Sequence, residues 1–288
     1  MRRALSLCAF SLLLIEGWFF LNDGFRMGKI LHGYPLNYTW EEVLSGFGPD
    51  DDKRQIQEIL NQEYVYLGKG QQCYVFESSD QKYVIKFFRT HKERFPFWVY
   101  LPGMKERKKK EIAWKRSRIE RNSQSYVIAR SLLKEETALI YLHLKESNDL
   151  KQTMRIRDKI GRSFNVDLDQ MEFIVQKKMT PLLPLLEANK NNAAYIENII
   201  DLVFDWTSMR IKKGVRNKNR RCLKNLGMLA GKVIEYDVGE FRINPELSEI
   251  EAQKIEIYKS TKNMRQWLEK NAPSTLSYFD AKLFSYEK

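Results

Sequence analysis

Two glycines and a lysine, set among β-type runs, are the residues of this chain best suited to phosphate chemistry. Gly68 and Gly70 fall in the segment Leu-Gly-Lys-Gly-Gln-Gln at 67–72, and Lys86 falls in the run Tyr-Val-Ile-Lys-Phe-Phe at 83–88. Glycines let a backbone approach phosphate oxygens, and a lysine in the following strand neutralises phosphate charge. Each feature alone is common, but their order and spacing together favour a site for nucleotide phosphates.

A second set of polar residues lies in the later half of the chain, on either side of a hairpin pattern. The segments Asn-Leu-Gly at 225–227 and Asp-Val-Gly at 237–239 flank β-type runs that turn at Ala230-Gly231. Because a hairpin brings the outer ends of its two strands together, Asn225 and Asp237 are expected to lie at the same end of it.

The elements that must position these residues divide the chain into a β-rich first part and a helical second part. Alternation and turn residues predict strands at 63–67, 72–78, 83–89, 138–144, 154–160, 163–168 and 172–178, and a short helix near 56–61. Helical spacing predicts one helix that Gly214 ends and a last helix that starts at Pro245. The apolar residues that carry these two helices are Ile196, Ile199, Val203 and Trp206, then Ile250, Ile257, Met264 and Leu268.

With these motifs in this order, the sequence resembles the protein-kinase-like superfamily over roughly residues 62–241. It looks closest to small bacterial kinase-like proteins that carry an N-terminal hydrophobic leader. The resemblance implies an α+β, two-lobed, protein-kinase-like fold, with a kinase-like domain at 59–288. Its β-rich N-lobe would span 59–179 and its reduced helical C-lobe 180–288. The resemblance also implies ATP and Mg as cofactors.

The same resemblance gives the first-part residues their roles around the nucleotide. Gly68 and Gly70 would cover its phosphates, and Lys86 would contact them. Gln176 would lie beside the adenine, on the strand that enters the hinge between the lobes. The third glycine of the family's loop is replaced by Cys73, a change that the fold can tolerate.

The remaining implied roles belong to acidic and amide side chains. Asn225 and Asp237 would hold magnesium. The glutamate that pairs with the strand lysine is expected in the helix before residue 138, where Glu120, Glu135 and Glu136 are all candidates.

The loop at 214–225 departs from the kinase pattern. It contains no His-Arg-Asp, and asparagines stand at 217 and 219, near where relatives are expected to carry the catalytic aspartate. Asn217 and Asn219 are therefore the candidate catalytic positions. An amide cannot act as a base at neutral pH, although it can position a hydroxyl. Only 49 residues follow Gly239 and no Ala-Pro-Glu occurs among them, so the usual dock for a protein substrate is missing.

Two functions are compatible with these features. One is a pseudokinase-like interaction module that binds nucleotide through a degenerate catalytic loop. The alternative is an active phosphotransferase that uses ATP and Mg on a small, anionic or lipid-like hydroxyl substrate. A nucleic-acid binder is a remote third option, and no nucleic acid is expected as a partner because the chain has no recognised motif or stacking array.

Charge is concentrated in two stretches of the chain. The net charge is +12, and the stretches at 105–121 and 212–224 hold nine and seven basic residues against three and no acidic ones. Such focused charge favours an acidic membrane surface or an anionic partner protein, although solvated helix faces explain it equally well. The 43% of hydrophobic residues excludes intrinsic disorder. The three cysteines have no metal-ligand or disulfide spacing.

The N-terminus predicts targeting. Two arginines at 2–3 precede an apolar run at 4–21, which is typical of a signal peptide or membrane anchor at 1–22. Residues 23–58 are mixed and polar and are interpreted as a juxtamembrane linker. The expected location is therefore membrane-associated, through a single N-terminal anchor, or exported.

Overall fold

The structure is a computed structural model that describes residues 21–31, 52–94, 101–219 and 222–286. Nearly all of the predicted leader, 1–20, lies outside these ranges. Within them, no helix combines the length and apolar character needed to cross a membrane. The chain divides into two compact units, the first comprising Met1–Lys115 with Ile140–Lys178 and the second Arg116–Leu139 with Met179–Lys288. Residues 116–139 thus belong to the second unit, whereas the sequence placed them in the N-lobe.

The first unit is built on a seven-stranded sheet. Its strands are β1 Tyr64–Lys69, β2 Cys73–Ser78, β3 Tyr83–Phe88, β4 Leu139–His143, β5 Thr153–Arg157, β6 Ser163–Asp167 and β7 Phe173–Lys177. They are hydrogen-bonded in the order β4-β7-β3-β2-β1-β5-β6. Each strand lies within two residues or so of a predicted one, except at the end of the strand predicted at 154–160. That strand stops at Arg157, and Gly161 turns the chain with φ +87°.

One face of this sheet carries an aromatic core. Tyr64, Tyr74, Phe76, Phe87 and Phe173 alternate along their strands with residues of the opposite face, and each has 0% exposure. Ring contacts join three of these side chains, Phe76 to Phe87 with a centroid distance of 5.8 Å and Phe87 to Phe173 with one of 5.7 Å. The period-two pattern therefore places every residue between them on the other face.

Residues assigned to a linker by the sequence pack into this core instead. Phe25 and Ile30 have 0% exposure and belong to the same cluster as the sheet aromatics. Asp23 accepts a hydrogen bond from the Tyr66 hydroxyl at 3.1 Å, and Leu31 bridges to Met171. The interpretation of 23–58 as a juxtamembrane linker is corrected here for 23–31, because these residues bury apolar surface that a linker would leave in water.

Helix α1, Lys53–Leu60, is the second part of that supposed linker to join the first unit. Its N-cap, Asp52, accepts hydrogen bonds from the amides of Arg54 and Gln55, which satisfies two donors at the helix start. The helix buries Ile56, Ile59 and Leu60 in the core. It starts three residues before the short helix predicted near 56–61.

The second unit is mainly helical. Its helices are the later part of α2 Lys105–Leu132, followed by α3 Leu182–Ala188, α4 Ala193–Lys212, α5 Cys222–Asn225, α6 Ile250–Asn271 and α7 Leu276–Ser285. The apolar residues that predicted α4 are all buried in the core of this unit, and Gly214 follows the helix with φ +70°, as a helix-ending glycine does. The predicted α+β class is confirmed, with a β-rich first unit and a helical second unit.

Five short strands complete the second unit: β8 Thr180–Pro181, β9 Val215–Asn217, β10 Leu226–Leu229, β11 Lys232–Glu235 and β12 Phe241–Ile243. β10 and β11 form the predicted hairpin, and Ala230 and Gly231 turn it with φ 49° and 78°. β8 pairs on the other side of β10, so that a Cβ on Gly227 would lie 2.8 Å from Met179 Cγ and 2.9 Å from the Thr180 carbonyl oxygen. The close approach of β8 is the reason for glycine at this position.

The C-terminal part differs from the prediction at both ends. Residues 245–248 form a 3-10 turn before α6, and Ile250 is 69% exposed although it was expected on the buried face. Ile257, Met264 and Leu268 are buried as predicted. A further helix, α7, follows Pro273 and places Phe279 in the core at 0% exposure.

Candidate functional site

The glycine loop lies between β1 and β2 in the first unit. A bulge shifts the β1–β2 register between Tyr66 and Gly68, and the Gly70 amide donates to the Cys73 carbonyl at 2.9 Å. Neither Gly68 nor Gly70 has positive φ. A Cβ on Gly68 would meet no described atom within 4 Å, and one on Gly70 would meet only the Cys73 oxygen at 4.0 Å. The described fold does not require glycine at either position, so these glycines leave space beside the loop.

Lys86 is aligned with this loop across the sheet. Gly68 pairs with Val75, Val75 with Lys86, and Lys86 with Ile174. We call these four residues the cross-strand row. Since paired residues share a face, the row lies on the face opposite the aromatic core. Gly68 and Lys86 are two strands apart on that face, or about 10 Å at the usual strand spacing.

Gln176 lies on the same face of the sheet as the cross-strand row. It pairs with Val84, two residues from the Ile174 that pairs with Lys86, and it has 0% exposure. A buried position at the end of β7 suits a residue that lines a ligand site or packs in the protein, and its role beside adenine stays a prediction.

Glu172 was not singled out from the sequence, and it lies on this face too. It precedes Ile174 by two residues, just as Gln176 follows Ile174 by two, and it is 2% exposed. Diagonal neighbours on one face of an antiparallel pair lie within reach of long side chains. Glu172 and Lys86 are such neighbours, which makes Glu172 a further candidate for the partner of the lysine. Its alternation with Ile174 and Gln176 was the available signal in the sequence.

The three glutamates considered from the sequence all belong to the second unit. Glu120 and Glu135 are exposed. The Glu136 carboxylate forms an ion pair with Lys213 at 2.6 Å, and its carbonyl accepts the Glu235 amide at 3.0 Å. Glu136 therefore stabilises the second unit through contacts of its own.

Asn225 and Asp237 lie at the same end of the β10–β11 hairpin, as their positions in the sequence predicted. The Tyr236 amide donates to the Asn225 carbonyl at 2.9 Å, so Asp237 follows directly after the residue bonded to Asn225. Asn225 is 7% exposed, and its Nδ2 has no hydrogen-bond partner among the residues that the structure describes. The Asp237 carboxylate belongs to an exposed residue.

These two side chains fit magnesium in the chemistry of their donors. Carboxylate and amide oxygens are hard ligands, and Mg²⁺ binds proteins through one or two carboxylates while keeping several waters. Within the described ranges, no group of three or more His, Cys, Asp or Glu side chains could hold a metal ion. A magnesium site here would therefore depend on Asn225, Asp237 and the phosphates of a bound nucleotide.

The next segment of interest, the candidate catalytic loop, is tied to a buried polar cluster of the second unit. The Asn217 side chain donates through Nδ2 to Glu235 Oε1 and accepts the backbone N–H of Asn219 on Oδ1 at 2.8 Å. The backbone N–H of Asn217 donates to Glu256 Oε1 at 3.3 Å. Asn217 is therefore a structural link between the loop and two buried carboxyl groups. Asn219 lies next to it in the same loop and is half-buried.

Arg210 and Glu256 form the base of this cluster, which sequence reasoning missed. The Arg210 guanidinium is 0% exposed and donates to Glu256 Oε1 at 3.3 Å, to the Val215 carbonyl at 2.7 Å and to Ser260 Oγ at 2.8 Å. Arg216 Nε reaches Glu256 Oε2 at 3.3 Å. A signal was present, since Arg210 follows Trp206 by four residues on the apolar face of α4.

Glu235 is the group of the cluster with the most altered protonation. The pKa of its carboxyl is raised to about 8, chiefly by burial and to a smaller extent by the nearby Asp237, against the opposing effects of Arg210 and of the hydrogen bond from the Asn217 side chain. Its Oε2 has no hydrogen-bond partner among the described residues. The Glu235 carboxyl is therefore largely protonated at neutral pH.

Comparison with known proteins gives distant structural likeness only. No protein-family model matches the chain, and no curated protein matches it. Similar solved structures include two of the bifunctional kinase-methyltransferase WbdD, both 14% identical, with TM-scores of 0.37 and 0.33 over 66% and 61% of this chain. A third is the Rv3197–erythromycin complex from Mycobacterium tuberculosis, 10% identical, with a TM-score of 0.35 over 68% of this chain.

The chain spans only part of each of these proteins, namely 34% and 32% of the WbdD chains and 54% of the Rv3197 chain. At this level of likeness, the assignment of functional residues depends on the strands, loops and contacts of the chain itself.

Proposed function

We propose that this chain is a kinase-like domain that binds ATP with Mg and has a degenerate catalytic loop. The observation that carries the proposal is the cross-strand row. It aligns Gly68 with Lys86 on the sheet face opposite the core, beside a loop whose glycines the described fold does not itself require. Gly68, Gly70 and Lys86 would contact the phosphates, and Gln176 the adenine.

The second unit supports the proposal through its hairpin. Asn225 and Asp237 supply the two oxygen-donor side chains that phosphoryl transfer requires for magnesium, and they are joined by a short backbone path. Magnesium would neutralise charge on the nucleotide phosphates. The residues of the chain would bind and orient the nucleotide around it.

The state of Asn217 favours a pseudokinase-like interaction module over an active enzyme. Its amide is engaged with Glu235 and with the loop backbone, and an amide does not accept a proton at neutral pH. The alternative is an active ATP- and Mg-dependent phosphotransferase on a small, anionic or lipid-like hydroxyl substrate. Turnover of ATP that depends on Asp237 would favour this alternative.

Location and macromolecular partners belong to the same proposal. The apolar run at 4–21 supports a membrane-tethered or exported protein. The basic stretches at 105–121 and 212–224 support an acidic membrane surface or an anionic partner protein. Removal of 1–20 is expected to release the protein from membranes.

The nucleotide proposal is tested by the melting temperature of the full chain with ATP and magnesium. A ligand that binds only the folded state stabilises it by about 2.7 kcal/mol at a hundredfold excess over Kd. Lys86→Met and Asp237→Asn are expected to remove the shift.

Matched controls are available on exposed sites. Lys82→Met removes a lysine from the β2–β3 turn, and Asp205→Asn removes a carboxylate from an exposed position of α4. Both should keep the full shift. No shift in the wild type at millimolar ATP with magnesium or manganese would contradict nucleotide binding, as would equal shifts in the Lys86→Met and Lys82→Met variants.

A further inference from the structure

A polar pocket opens beside the candidate catalytic loop, and its lining belongs entirely to the second unit. Its volume is about 390 Å³. The loop supplies Arg216, Asn217, Lys218 and Asn219, and α6 supplies Lys259 and Ser260. A pocket of this kind is large enough for a small ligand.

The charge of the pocket is strongly positive. The one carboxylate of the lining belongs to Glu256, which is 4% exposed. Its Oε1 accepts hydrogen bonds from Arg210 and from the backbone N–H of Asn217, and its Oε2 pairs with Arg216. Within the part of the chain that the structure describes, neither Lys218 nor Lys259 has an ion-pair partner. The lining therefore presents two ammonium groups without a carboxylate partner, beside the Arg216 guanidinium that Glu256 partly neutralises.

Two of the lining residues, Glu256 and Ser260, are held in place by a buried arginine behind the pocket. Arg210 is fully buried, and it holds both Glu256 and Ser260 by hydrogen bonds to Glu256 Oε1 at 3.3 Å and to Ser260 Oγ at 2.8 Å. Because Ser260 Oγ accepts from Arg210, its own hydroxyl proton remains available for a ligand. The site thus combines fixed donors with flexible lysines.

We propose that this pocket binds the phosphate group of a small phosphorylated ligand. A phosphate dianion has enough oxygens to accept from two ammonium groups, a guanidinium and a hydroxyl at once, and charge-assisted hydrogen bonds of this type are strong. The pocket is lined by the loop that holds Asn217 and Asn219, so the ligand would lie beside the candidate catalytic positions. This inference goes beyond nucleotide binding and does not require it.

Inorganic phosphate is the probe for the test. The full chain is titrated with phosphate at constant ionic strength and without nucleotide, and the melting temperature is followed. Saturable stabilisation is expected for the wild type. Lys259→Gln and Lys218→Gln should each weaken phosphate binding about tenfold, since each removes one charge-assisted bond. Lys270→Gln, an exposed site on the same helix about 16 Å further along, should bind as the wild type does.

Other ions and variants separate this proposal from nucleotide binding. Lys86→Met should keep phosphate binding while losing the response to ATP, so that either proposal can fail alone. Unchanged phosphate binding in both Lys259→Gln and Lys218→Gln would overturn the assignment of the pocket. Acetate binding as strong as phosphate binding would overturn the preference for phosphate. Lysine-dependent binding to anionic phospholipid vesicles, without phosphate binding, would replace the small ligand with a membrane surface.

Discussion

The candidate residues of the two units are held in place in different ways. Gly68 and Lys86 belong to an antiparallel ladder that has a bulge just before Gly68, and the glycine leaves open space around it. Asn217 is held by side-chain contacts to Glu235, a residue 18 positions later, and by a bond from its amide to Glu256, 39 positions later. The open space at Gly68 lets that position change without disturbing the packing, whereas the loop is part of what stabilises its unit. Gly68 is therefore suited to a role in ligand binding, whereas Asn217 supports the structure of the second unit.

The largest effect is expected from Glu256→Ala. This variant leaves Arg210 as an uncompensated buried charge, and breaking a buried ion pair in this way costs about 3–5 kcal/mol. The free energy of unfolding, measured by urea denaturation, should fall by that amount. Glu251→Ala, an exposed site on the same helix, should change it little. Equal stability of the two variants would show that the buried cluster does not hold the loop.

A smaller loss of stability is expected from Gly227→Ala. The added Cβ would lie under 3 Å from Met179 Cγ and the Thr180 carbonyl oxygen, so β8 and β10 must separate. Overpacking of this kind typically costs about 1–3 kcal/mol. Denaturation curves of Gly227→Ala and Gly68→Ala measured side by side compare the two units directly. A Gly227→Ala variant as stable as the wild type would contradict the close approach of β8.

The Glu235–Asn217 pair predicts a pH dependence of stability. The folded carboxyl keeps its proton up to about pH 8, whereas the unfolded carboxyl loses it near 4.5. The folded state binds more protons between these values, so this group's stabilising contribution is full below pH 4.5 and is lost as pH rises through 8. Glu235→Gln keeps the acceptor for Asn217 and removes the ionisation. The decline in unfolding free energy from pH 5 to 8 should be smaller in this variant than in the wild type.

The same pair determines how a catalytic aspartate should be restored. Asn217→Asp alone places two carboxyl groups in hydrogen-bond contact, which should steepen the decline of stability with pH. In the double variant Asn217→Asp, Glu235→Gln, the amide at position 235 would donate to the carboxylate at position 217, the reverse of the native hydrogen bond. This variant should recover stability at neutral pH. The double variant is therefore the fair test for restored ATP turnover. A double variant no more stable at pH 8 than Asn217→Asp alone would contradict the contact.

Gly68→Ala should have the smallest effect on stability and a clear effect on binding. The position has open space and no positive φ, so the unfolding free energy should stay within about 0.5 kcal/mol of the wild type. The added methyl group would occupy the space proposed for nucleotide phosphates, and the ATP-dependent melting shift should shrink. Full retention of that shift would place the phosphates elsewhere.

The sequence predicts the regular elements and their faces well. The strand alternation around Lys86 and the Ala230-Gly231 turn are local patterns, so the β10–β11 hairpin and the part of the cross-strand row from β1 to β3 follow from nearby residues. The pairing of Lys86 with Ile174 joins distant segments and does not. The sequence assigns residues 23–31 to a linker because the segment is mixed and polar, and only the packing of Phe25 and Ile30 against the sheet reveals their role.

The polar cluster could not be predicted from spacing. Arg210 and Glu256 are 46 residues apart, and Glu256 lies among charged residues on a helix whose polar face gives no sign of burial. Strands β9 and β12, of three residues each, are too short to leave a period-two pattern and depend on pairing with one another. The environment of the candidate catalytic loop therefore depends on contacts between distant segments, and the spacing of residues along the chain does not predict these contacts.

The central claim is that the chain binds ATP through Lys86 and does not turn it over. The most direct measurement is the ³¹P spectrum of ATP with magnesium, followed over time in the presence of the full chain. Shifted or broadened β- and γ-phosphate resonances are expected with the wild type and with Lys82→Met but not with Lys86→Met, and no ADP should accumulate beyond the protein-free control. Unperturbed ATP resonances, or ADP formation that Asp237→Asn abolishes, would contradict this account.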